Sequence, residues 1–364
     1  MSTTIGFIGL GLIGGSLAKG LKRKDPDCKI IAYNRNKDVL HQAMLEKTID
    51  EMTEEIGEAF DPCDIIFLCA PVEVNAESMK LVKPYLKESA ILTDVGSTKS
   101  DIMKIAADLG LQKVFIGGHP MAGSERSGYA YSTDHLVENA YYVVTPFPET
   151  NAKKTVKLTE LIHDLLAIPM VMDAEEHDRI VATVSHLPHL IAFALVNLLK
   201  KEDDEDHTMK QIAAGGFKDI TRIAGSSPVM WEQICMNNKK AINELMDDYI
   251  DNLEELRAMI NAGDEEGLLK SFGESGDFRR SMDNRSTGAI RREYSVYLDI
   301  LDKPGTIASV VNIVAIHNLN LKNIGILHNR EFEESVLKVD FYDEQSAEKA
   351  ADVLTRNDFT AFKK

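Results

Sequence analysis

The chain has 364 residues, of which 44% are hydrophobic and 27% charged, and its formal net charge is −17. A chain of this length folds into two or three domains, and its apolar content supports a hydrophobic core. The acidic balance argues against nucleic acid and anionic membranes as partners, because both repel a negative surface. A small anionic substrate is compatible with it, since a few Arg and Lys side chains suffice to bind one.

The N-terminus and the cysteines predict a cytoplasmic protein that binds no metal. The first strand begins within about five residues of the N-terminus, which leaves no room for a signal peptide, and no apolar run approaches the length of a membrane span. The four cysteines lack metal-ligand spacing and are interpreted as reduced thiols of a cytosolic protein. They are Cys28, Cys63, Cys69 and Cys235.

A dinucleotide-binding fingerprint follows the first strand. The apolar segment Thr4–Ile8 leads into a G-x-G-x-x-G motif and then into a helix predicted over 12–22. In this context the first glycine permits a tight turn, the second lets a pyrophosphate approach, and the third lets the helix pack closely. The helix N-terminus offers free N–H groups to the phosphates. The predicted cofactor residues here are Gly9, Gly11, Leu12, Ile13 and Gly14.

The end of the second predicted strand, 29–33, bears on the choice between NAD and NADP. An acidic residue there would bind the ribose 2′-OH of NAD, but this chain has Asn34 and Arg35. Asn34 can still hydrogen-bond a 2′-OH. Arg35 can stack on the adenine, pair with a 2′-phosphate, or simply be solvated. NAD is therefore the predicted cofactor, with NADP left open.

The distribution of strands and helices predicts an α/β chain with three domains and a linker. Strands alternate with helices at first, then long helical patterns take over, and a strand–helix–strand–strand–helix order returns at the end. The predicted parts are a Rossmann-type dinucleotide-binding domain at 1–172, an all-helical substrate and dimerisation domain at 173–283, a basic linker at 284–292, and an α+β domain at 293–364. The helical part is expected to contain four helices, at 173–200, 209–223, 228–260 and 265–282.

His119 is the first candidate for catalysis. It follows a predicted apolar strand at 114–116 and precedes a loop of small residues that contains Ser124. Open α/β sheets place reacting groups outside the carboxyl ends of their strands. A neutral imidazole there can accept a proton or a hydrogen bond from a substrate hydroxyl. The alternative is a loop histidine that caps a turn.

Two further candidates lie in the first predicted helix of the helical domain. His186 and His189 are three residues apart, which places both imidazoles toward one helical face. Pro188 between them removes a backbone hydrogen bond and predicts a kink. The alternatives are two core histidines bonded to backbone carbonyls, or a zinc site, for which no partner ligand is evident.

A cationic pair and the only tryptophan complete the candidates. Lys218 and Arg222 are four residues apart on a predicted helical face, and Arg222 can bind a carboxylate bidentately. The alternative is an ordinary surface charge pattern. Trp231 is compatible with core packing or with the wall of a site.

These motifs together resemble the prephenate dehydrogenase family of the tyrosine pathway, with a C-terminal ACT-like domain. The resemblance rests on the glycine motif, on Asp94-Val-Gly-Ser97-Thr-Lys99, on Gly118-His119-Pro-Met-Ala-Gly-Ser124-Glu125, on Ser185-His-Leu-Pro-His189, and on Lys218-Asp-Ile-Thr-Arg222 with Trp231. It implies an NAD(P)-dependent oxidative decarboxylation of prephenate to 4-hydroxyphenylpyruvate. The loss of CO₂ is driven by aromatisation and needs no further cofactor.

The resemblance also implies roles for the candidate residues. His119 accepts a hydrogen bond from the C4 hydroxyl of the substrate, and Ser97 orients that imidazole. Arg222 binds a substrate carboxylate and His189 holds the other side of the substrate. Lys218 and Ser124 line the pocket.

The C-terminal domain is expected to bind an amino acid, with tyrosine as the effector, in a homodimer. The resemblance points to Asp302, Asn320 and Asn323 as contacts, while a dimerisation module without a ligand is the alternative. Two other functions stay open. One is arogenate dehydrogenase, whose substrate has an amino group in place of the keto group, and the other is a catalytically silent NAD(P)-binding amino-acid sensor.

Overall fold

The computed structural model describes residues 3–123, 126–284, 294–300, 303–328, 335–357 and 359–363. The chain divides into two compact units, Met1–Arg279 and Arg280–Lys364. The predicted boundary between 172 and 173 lies within the first unit, and most of the predicted linker lies outside the described residues. The proposed domain limits therefore stay predictions.

The first unit is built on an eight-stranded sheet with the strand order β3-β2-β1-β4-β5-β6-β7-β8. All neighbouring strands are parallel except β6 and β7, which pair antiparallel. This is the order of a Rossmann-type sheet, as the sequence predicted. The strands are β1 Thr4–Ile8, β2 Lys29–Tyr33, β3 Glu51–Thr53, β4 Ile65–Leu68, β5 Ile91–Asp94, β6 Phe115–Pro120, β7 Tyr141–Pro146 and β8 Ile168–Val171.

Helices cover both faces of this sheet and enclose two hydrophobic clusters. The central strands β4 and β5 are buried along their whole length, which explains why they are continuous apolar runs rather than alternating ones. The sequence analysis missed β3, which has three residues, and β7, which leaves the parallel pattern. The helices are α1 Leu12–Lys24, α2 Lys37–Leu45, α3 Val72–Val82, α4 Ser100–Asp108 and α5 Ala152–Asp164.

The rest of the first unit is helical, but three of the four predicted helices are interrupted. The first contains a π-helical turn at Ala182–His186. The turn ends two residues before Pro188, whose ring nitrogen carries no hydrogen to donate to the Val184 carbonyl, so the regular hydrogen-bond pattern is broken there. The second breaks before Gly215, and the third breaks at Asn238. The helices are α6 Ala174–Val181, α7 Leu187–Glu202, α8 Thr208–Ile212, α9 Gly215–Thr221, α10 Pro228–Asn237, α11 Lys239–Ala262 and α12 Glu265–Asn284.

The helical stretch Ala174–Glu202, which includes the π turn, is long and apolar enough to cross a membrane by length and composition, and its most apolar 18-residue window has a mean hydropathy of 1.6. The expectation that no apolar run reaches this length is therefore wrong. The stretch also carries three buried polar side chains, those of His177, Asp178 and His186. These side chains are hydrogen-bonded within the protein, but only 22% of the most apolar 18-residue window of the helix is buried.

The second unit is a small α+β domain with the element order β9-α13-β10-β11-α14-β12. Its antiparallel sheet has the ferredoxin-like order β10-β11-β9-β12, which agrees with the α+β domain that the sequence predicted. Val296, Leu298, Val339 and other apolar side chains form its own core. The elements are β9 Tyr294–Ile300, α13 Thr306–Ile316, β10 Leu321–His328, β11 Ser335–Phe341, α14 Glu344–Arg356 and β12 Thr360–Lys363.

Candidate active site

The glycine loop, Ser97 and His119 lie at the same edge of the large sheet. The loop follows β1, Ser97 follows β5, and His119 is the second-last residue of β6. Because β1, β4, β5 and β6 are parallel, their carboxyl ends meet at this edge. The position is the one at which open α/β sheets bind ligands.

The glycine loop has the shape that a dinucleotide requires. Gly9 has a φ of 104°, and a Cβ atom on Gly14 would lie 2.4 Å from the Gly9 carbonyl oxygen. A Cβ on Gly11 would meet no atom within 4 Å, so the backbone is open on that side. Helix α1 begins without a side-chain cap and without an acidic residue in its first turn. The free N–H groups and the positive end of the helix dipole therefore fit a pyrophosphate.

Asn34 and Arg35 differ in their surroundings. The side-chain oxygen of Asn34 accepts a hydrogen bond from the Leu10 N–H at 3.0 Å, and its amide donates to the Asn36 carbonyl at 3.0 Å. Asn34 thus ties the end of β2 to the glycine loop. Arg35 is exposed at the same strand end.

His119 is part of a buried chain of hydrogen bonds. Its Nδ1 lies 2.8 Å from Nε2 of His177, and Nδ1 of His177 lies 2.8 Å from a carboxylate oxygen of Asp178. All three side chains are buried. His119 lies within strand β6, paired with Val143, and not in a loop. The alternative of a loop histidine that caps a turn is therefore wrong.

Asp178 connects the helical region to the sheet. Its two carboxylate oxygens accept hydrogen bonds from the backbone N–H groups of Lys99 and Ser100, at 2.7 and 2.8 Å, where α4 begins. Burial alone would raise the pKa of Asp178, but the hydrogen bonds from His177, Ser100 and Lys99 hold it below its ordinary value. Asp178 is therefore a carboxylate that compensates the N-terminus of α4.

A second buried ion pair fixes the loop that carries Ser97. Lys99 and Asp94 form a salt bridge, and both side chains are fully buried. Asp94 also accepts hydrogen bonds from the N–H groups of Gly96 at 2.8 Å and Gly118 at 3.1 Å. Gly96 adjoins the half-buried Ser97, and Gly118 adjoins His119. One carboxylate thus positions the backbone next to both predicted catalytic side chains.

The predicted site residues His186 and His189 both contact Trp231. The ring of His189 stacks on it with a centroid distance of 3.8 Å, while His186 meets it edge-on at 6.0 Å. His189 Nδ1 donates to the Ser185 carbonyl at 2.9 Å, which leaves its Nε2 as an acceptor. The indole Nε1 of Trp231 is buried and has no hydrogen-bond partner among the described residues.

The helix break at Asn238 has a clear cause in this site. Its side-chain amide donates to the Asp178 carbonyl at 2.8 Å and lies 3.2 Å from Nδ1 of His186. The backbone of Asn238 is not helical, with φ −128° and ψ 28°. The two contacts hold α6 and the π turn against the start of α11.

Lys218 and Arg222 lie on the exposed side of the helical region. Lys218 belongs to α9, and Arg222 is the C-cap of that helix, with right-handed helical backbone angles, at the start of a 3₁₀ turn over Arg222–Gly225. Helix α7, which carries His189, packs against both segments. The Arg222 guanidinium is close enough to contribute to the lowered pKa of His189.

Burial disfavours the charged forms of three histidines of this site, namely His119, His186 and His189. Burial, with the nearby His177, Lys99 and His186, holds the pKa of His119 well below its ordinary value. Burial lowers the pKa of His186 to about 4, although Asp178 opposes that shift. Burial also lowers the pKa of His189, against the hydrogen bond to Ser185. Neutral imidazoles are what hydrogen-bond acceptors at physiological pH require.

The sequence analysis missed the partners of the predicted residues. The sequence analysis assigns no role to His177, Asp178, Asp94 or Lys99. Ser124 lies outside the described residues. Among the residues that the structure describes, no group of three or more His, Cys, Asp or Glu side chains could hold a metal ion. The four cysteines are free, and burial raises the pKa of Cys63 to about 12.

Two protein families match this chain by sequence. The nucleotide-binding domain of prephenate dehydrogenase matches residues 17–168, and the dimerization domain of prephenate dehydrogenase matches residues 173–274. A prephenate dehydrogenase of Bacillus subtilis is 34% identical over 352 residues, which are 96% of this chain and 95% of that protein.

Solved structures agree with the sequence matches. Prephenate dehydrogenase from Aquifex aeolicus, solved with hydroxyphenyl propionate and NAD⁺, has a TM-score of 0.73 and 34% identity, and covers 78% of this chain and 99% of its own. Arogenate dehydrogenase from Synechocystis has a TM-score of 0.71 and 30% identity, with coverages of 77% and 100%. This chain therefore belongs to the prephenate dehydrogenase family of NAD-dependent oxidoreductases.

Proposed function

We propose that the site around His119 carries out the oxidative decarboxylation of prephenate to 4-hydroxyphenylpyruvate, with Ser97 and His119 as its catalytic residues. The observation that carries this proposal is the buried imidazole of His119, which lies at the sheet edge that also bears the dinucleotide loop. Its Nδ1 is bonded to His177, so its Nε2 is the nitrogen left for a substrate.

The residues of the chain then have distinct tasks. NAD⁺ bound at the glycine loop would supply the hydride acceptor for C4 of the substrate. His119 accepts the proton of the C4 hydroxyl at Nε2 as the C4–O double bond forms. The bond between the ring and its carboxylate breaks, its electrons aromatise the ring, and the oxygen takes the proton back. Ser97, in the loop fixed by Asp94, orients His119 and contacts the same hydroxyl.

Charge and stacking support the assignment of substrate contacts. Prephenate carries two carboxylates, and Arg222 provides the bidentate donor for one of them. His189, held flat against Trp231, faces the substrate with an acceptor nitrogen, and Lys218 and Ser124 contribute to the pocket. For the cofactor, the open backbone at Gly11 receives the pyrophosphate, and Leu12, Ile13 and Gly14 supply the helix N-terminus.

The test is NADH formation by the purified full-length chain. With prephenate and NAD⁺, absorbance at the NADH band should rise, and it should not rise in the absence of prephenate. A chain that binds NAD but turns over no substrate would instead be an amino-acid sensor. Measuring kcat/KM with NADP⁺ in parallel decides whether Arg35, which lacks the usual acidic neighbour, also accepts a 2′-phosphate.

Arogenate is the second candidate substrate, because a similar structure is an arogenate dehydrogenase. The two substrates differ only in a keto or an amino group on the side chain. The discriminating measurement is the ratio of kcat/KM for prephenate and arogenate at one pH. A ratio above one supports prephenate, and a ratio below one assigns the enzyme to arogenate.

The remaining proposals concern assembly and regulation. We propose a cytoplasmic homodimer formed through the region that matches the dimerization domain, residues 173–274. We also propose that the ferredoxin-like domain binds tyrosine as an effector. The exposed Asn320 and Asn323 are two candidate contacts. The third, Asp302, lies outside the described residues.

A further inference from the structure

The hydrogen-bond chain from Asp178 to His119 has a direction. Asp178 is a carboxylate and only accepts, so Nδ1 of His177 carries a hydrogen and donates across the 2.8 Å contact. A neutral His177 then has its lone pair on Nε2. That atom lies 2.8 Å from Nδ1 of His119, so Nδ1 of His119 is the donor. The lone pair of His119 is thereby fixed on Nε2.

The hydrogen-bonded imidazoles of His119 and His177 can hold one additional proton on either of the two rings. His119 is buried against other titratable groups, which makes a positive charge on its ring costly. His177 lies one hydrogen bond further from the substrate and directly beside the Asp178 carboxylate, which stabilises a cation. A charge on the pair is therefore more stable on His177 than on His119.

Building on the proposed function, we propose that His177, paired with Asp178, is a positioning residue that also holds the proton of the substrate hydroxyl during turnover. When that proton arrives at Nε2 of His119, the Nδ1 proton of His119 passes to Nε2 of His177. His177 becomes an imidazolium beside Asp178, and His119 stays neutral with its hydrogen on Nε2. The phenolate oxygen of the product then takes that hydrogen, and the proton on His177 returns to His119.

The overall reaction neither takes up nor releases a net proton, so the histidine pair has to hold the proton only temporarily. The C4–H bond is broken with its electron pair transferred to the nicotinamide, and the carboxylate leaves as CO₂. The proton that leaves the hydroxyl is returned to the same oxygen. No net proton has to reach the solvent, which agrees with the burial of both imidazoles.

Substitution of His177 by Gln separates positioning from proton holding. The Gln side-chain oxygen can accept the hydrogen bond from His119, but it cannot take up a proton. We expect kcat of H177Q to fall by about 10- to 100-fold, within the range of acid–base groups, with KM for prephenate little changed. The control is H135Q, because His135 is exposed and lies 2.9 Å from Asp134, so it resembles the pair without being in the site.

The pH profile provides a readout that a purely structural role would not move. The groups that face the two histidines are Asp178 on α6, Lys99 with its partner Asp94, and His186 in the π turn. In H177Q only His119 remains to accept a proton, and burial lowers its pKa. The acid limb of the kcat profile should therefore shift to lower pH. A reduced kcat with an unchanged acid limb, or a parental kcat, overturns the proposal.

Nitrogen NMR of ¹⁵N-histidine-labelled enzyme tests the pair without substrate and without a variant. At neutral pH both His119 and His177 should carry their hydrogen on Nδ1. On acidification, His177 should become doubly protonated while His119 changes to the Nε2–H form. A doubly protonated His119 would overturn the proposal. Absence of NADH formation by the parent enzyme would instead contradict the proposed function, and the NMR result would still decide the role of His177.

Discussion

The two sides of the candidate site are built in opposite ways. On the buried side, His119 of β6, His177 and Asp178 of α6, and the Asp94–Lys99 pair each have a hydrogen bond or an ion pair with another buried side chain. On the exposed side, solvent reaches Lys218 and Arg222. The difference matches two tasks. In the proposed function, a proton is transferred between fixed atoms, whereas a carboxylate that arrives from water is bound by cations that solvent can reach.

The largest effect is expected where the buried side loses a charge. Lys99→Met leaves the carboxylate of Asp94 buried without its cation, and we expect it to lower the free energy of unfolding by about 3–5 kcal/mol. The matched control is Lys218→Met on the exposed side, which should change it by less than about 0.5 kcal/mol. Urea unfolding of both variants measures the contrast. Equal effects would mean that the two sides do not differ in this respect.

The second test removes the proton acceptor. His119→Asn should lower kcat by about 10²-fold or more, in the range of general acid–base groups, and change KM much less. The reason is that the Asn side chain can contact the hydroxyl but cannot take its proton. Steady-state NADH formation provides the measurement, and near-normal turnover would remove His119 from the mechanism.

The third test concerns the exposed side. Arg222→Ala should mainly raise KM for prephenate. The rise should correspond to a loss of about 1.5–3 kcal/mol of binding free energy, because charge-assisted hydrogen bonds are lost. Kinetics at several prephenate concentrations separates KM from kcat. Arg222→Lys is the control, because it keeps the positive charge but loses the planar guanidinium group that binds a carboxylate bidentately. Its KM for prephenate should lie between those of the parent enzyme and of Arg222→Ala. If Arg222→Ala binds prephenate as tightly as the parent, Arg222 is an ordinary surface charge.

The smallest effect is expected for regulation. A chain that ends at about residue 290 should keep its activity and lose inhibition by tyrosine, because the second unit has its own core. Tyrosine must favour one state of the full-length dimer to inhibit it. Rates with and without tyrosine are compared for both proteins. Equal inhibition would place tyrosine in the active site.

The sequence predicted the Rossmann-type sheet and proposed candidate residues on both sides of the site, but it did not reveal the buried hydrogen bonds that connect them. The glycine motif and the strand order predicted the Rossmann-type sheet because their signals are local and periodic. His119 and His177 are 58 residues apart, and Lys99 and Asp178 are 79 apart. Such contacts depend on tertiary packing and leave no spacing pattern in the chain. For the same reason Asn238 was not expected to interrupt a helix.

The capping of α4 by Asp178 has a consequence for how the molecule unfolds. The amide hydrogens of Lys99 and Ser100 are bonded to a side chain of α6 and not to their own helix. They can exchange with deuterium only when α6 separates from the sheet. The Rossmann-type sheet and the first helix of the helical region are thereby joined into one cooperative block. Hydrogen exchange at these two amides should therefore follow the rate measured for the interior of α6.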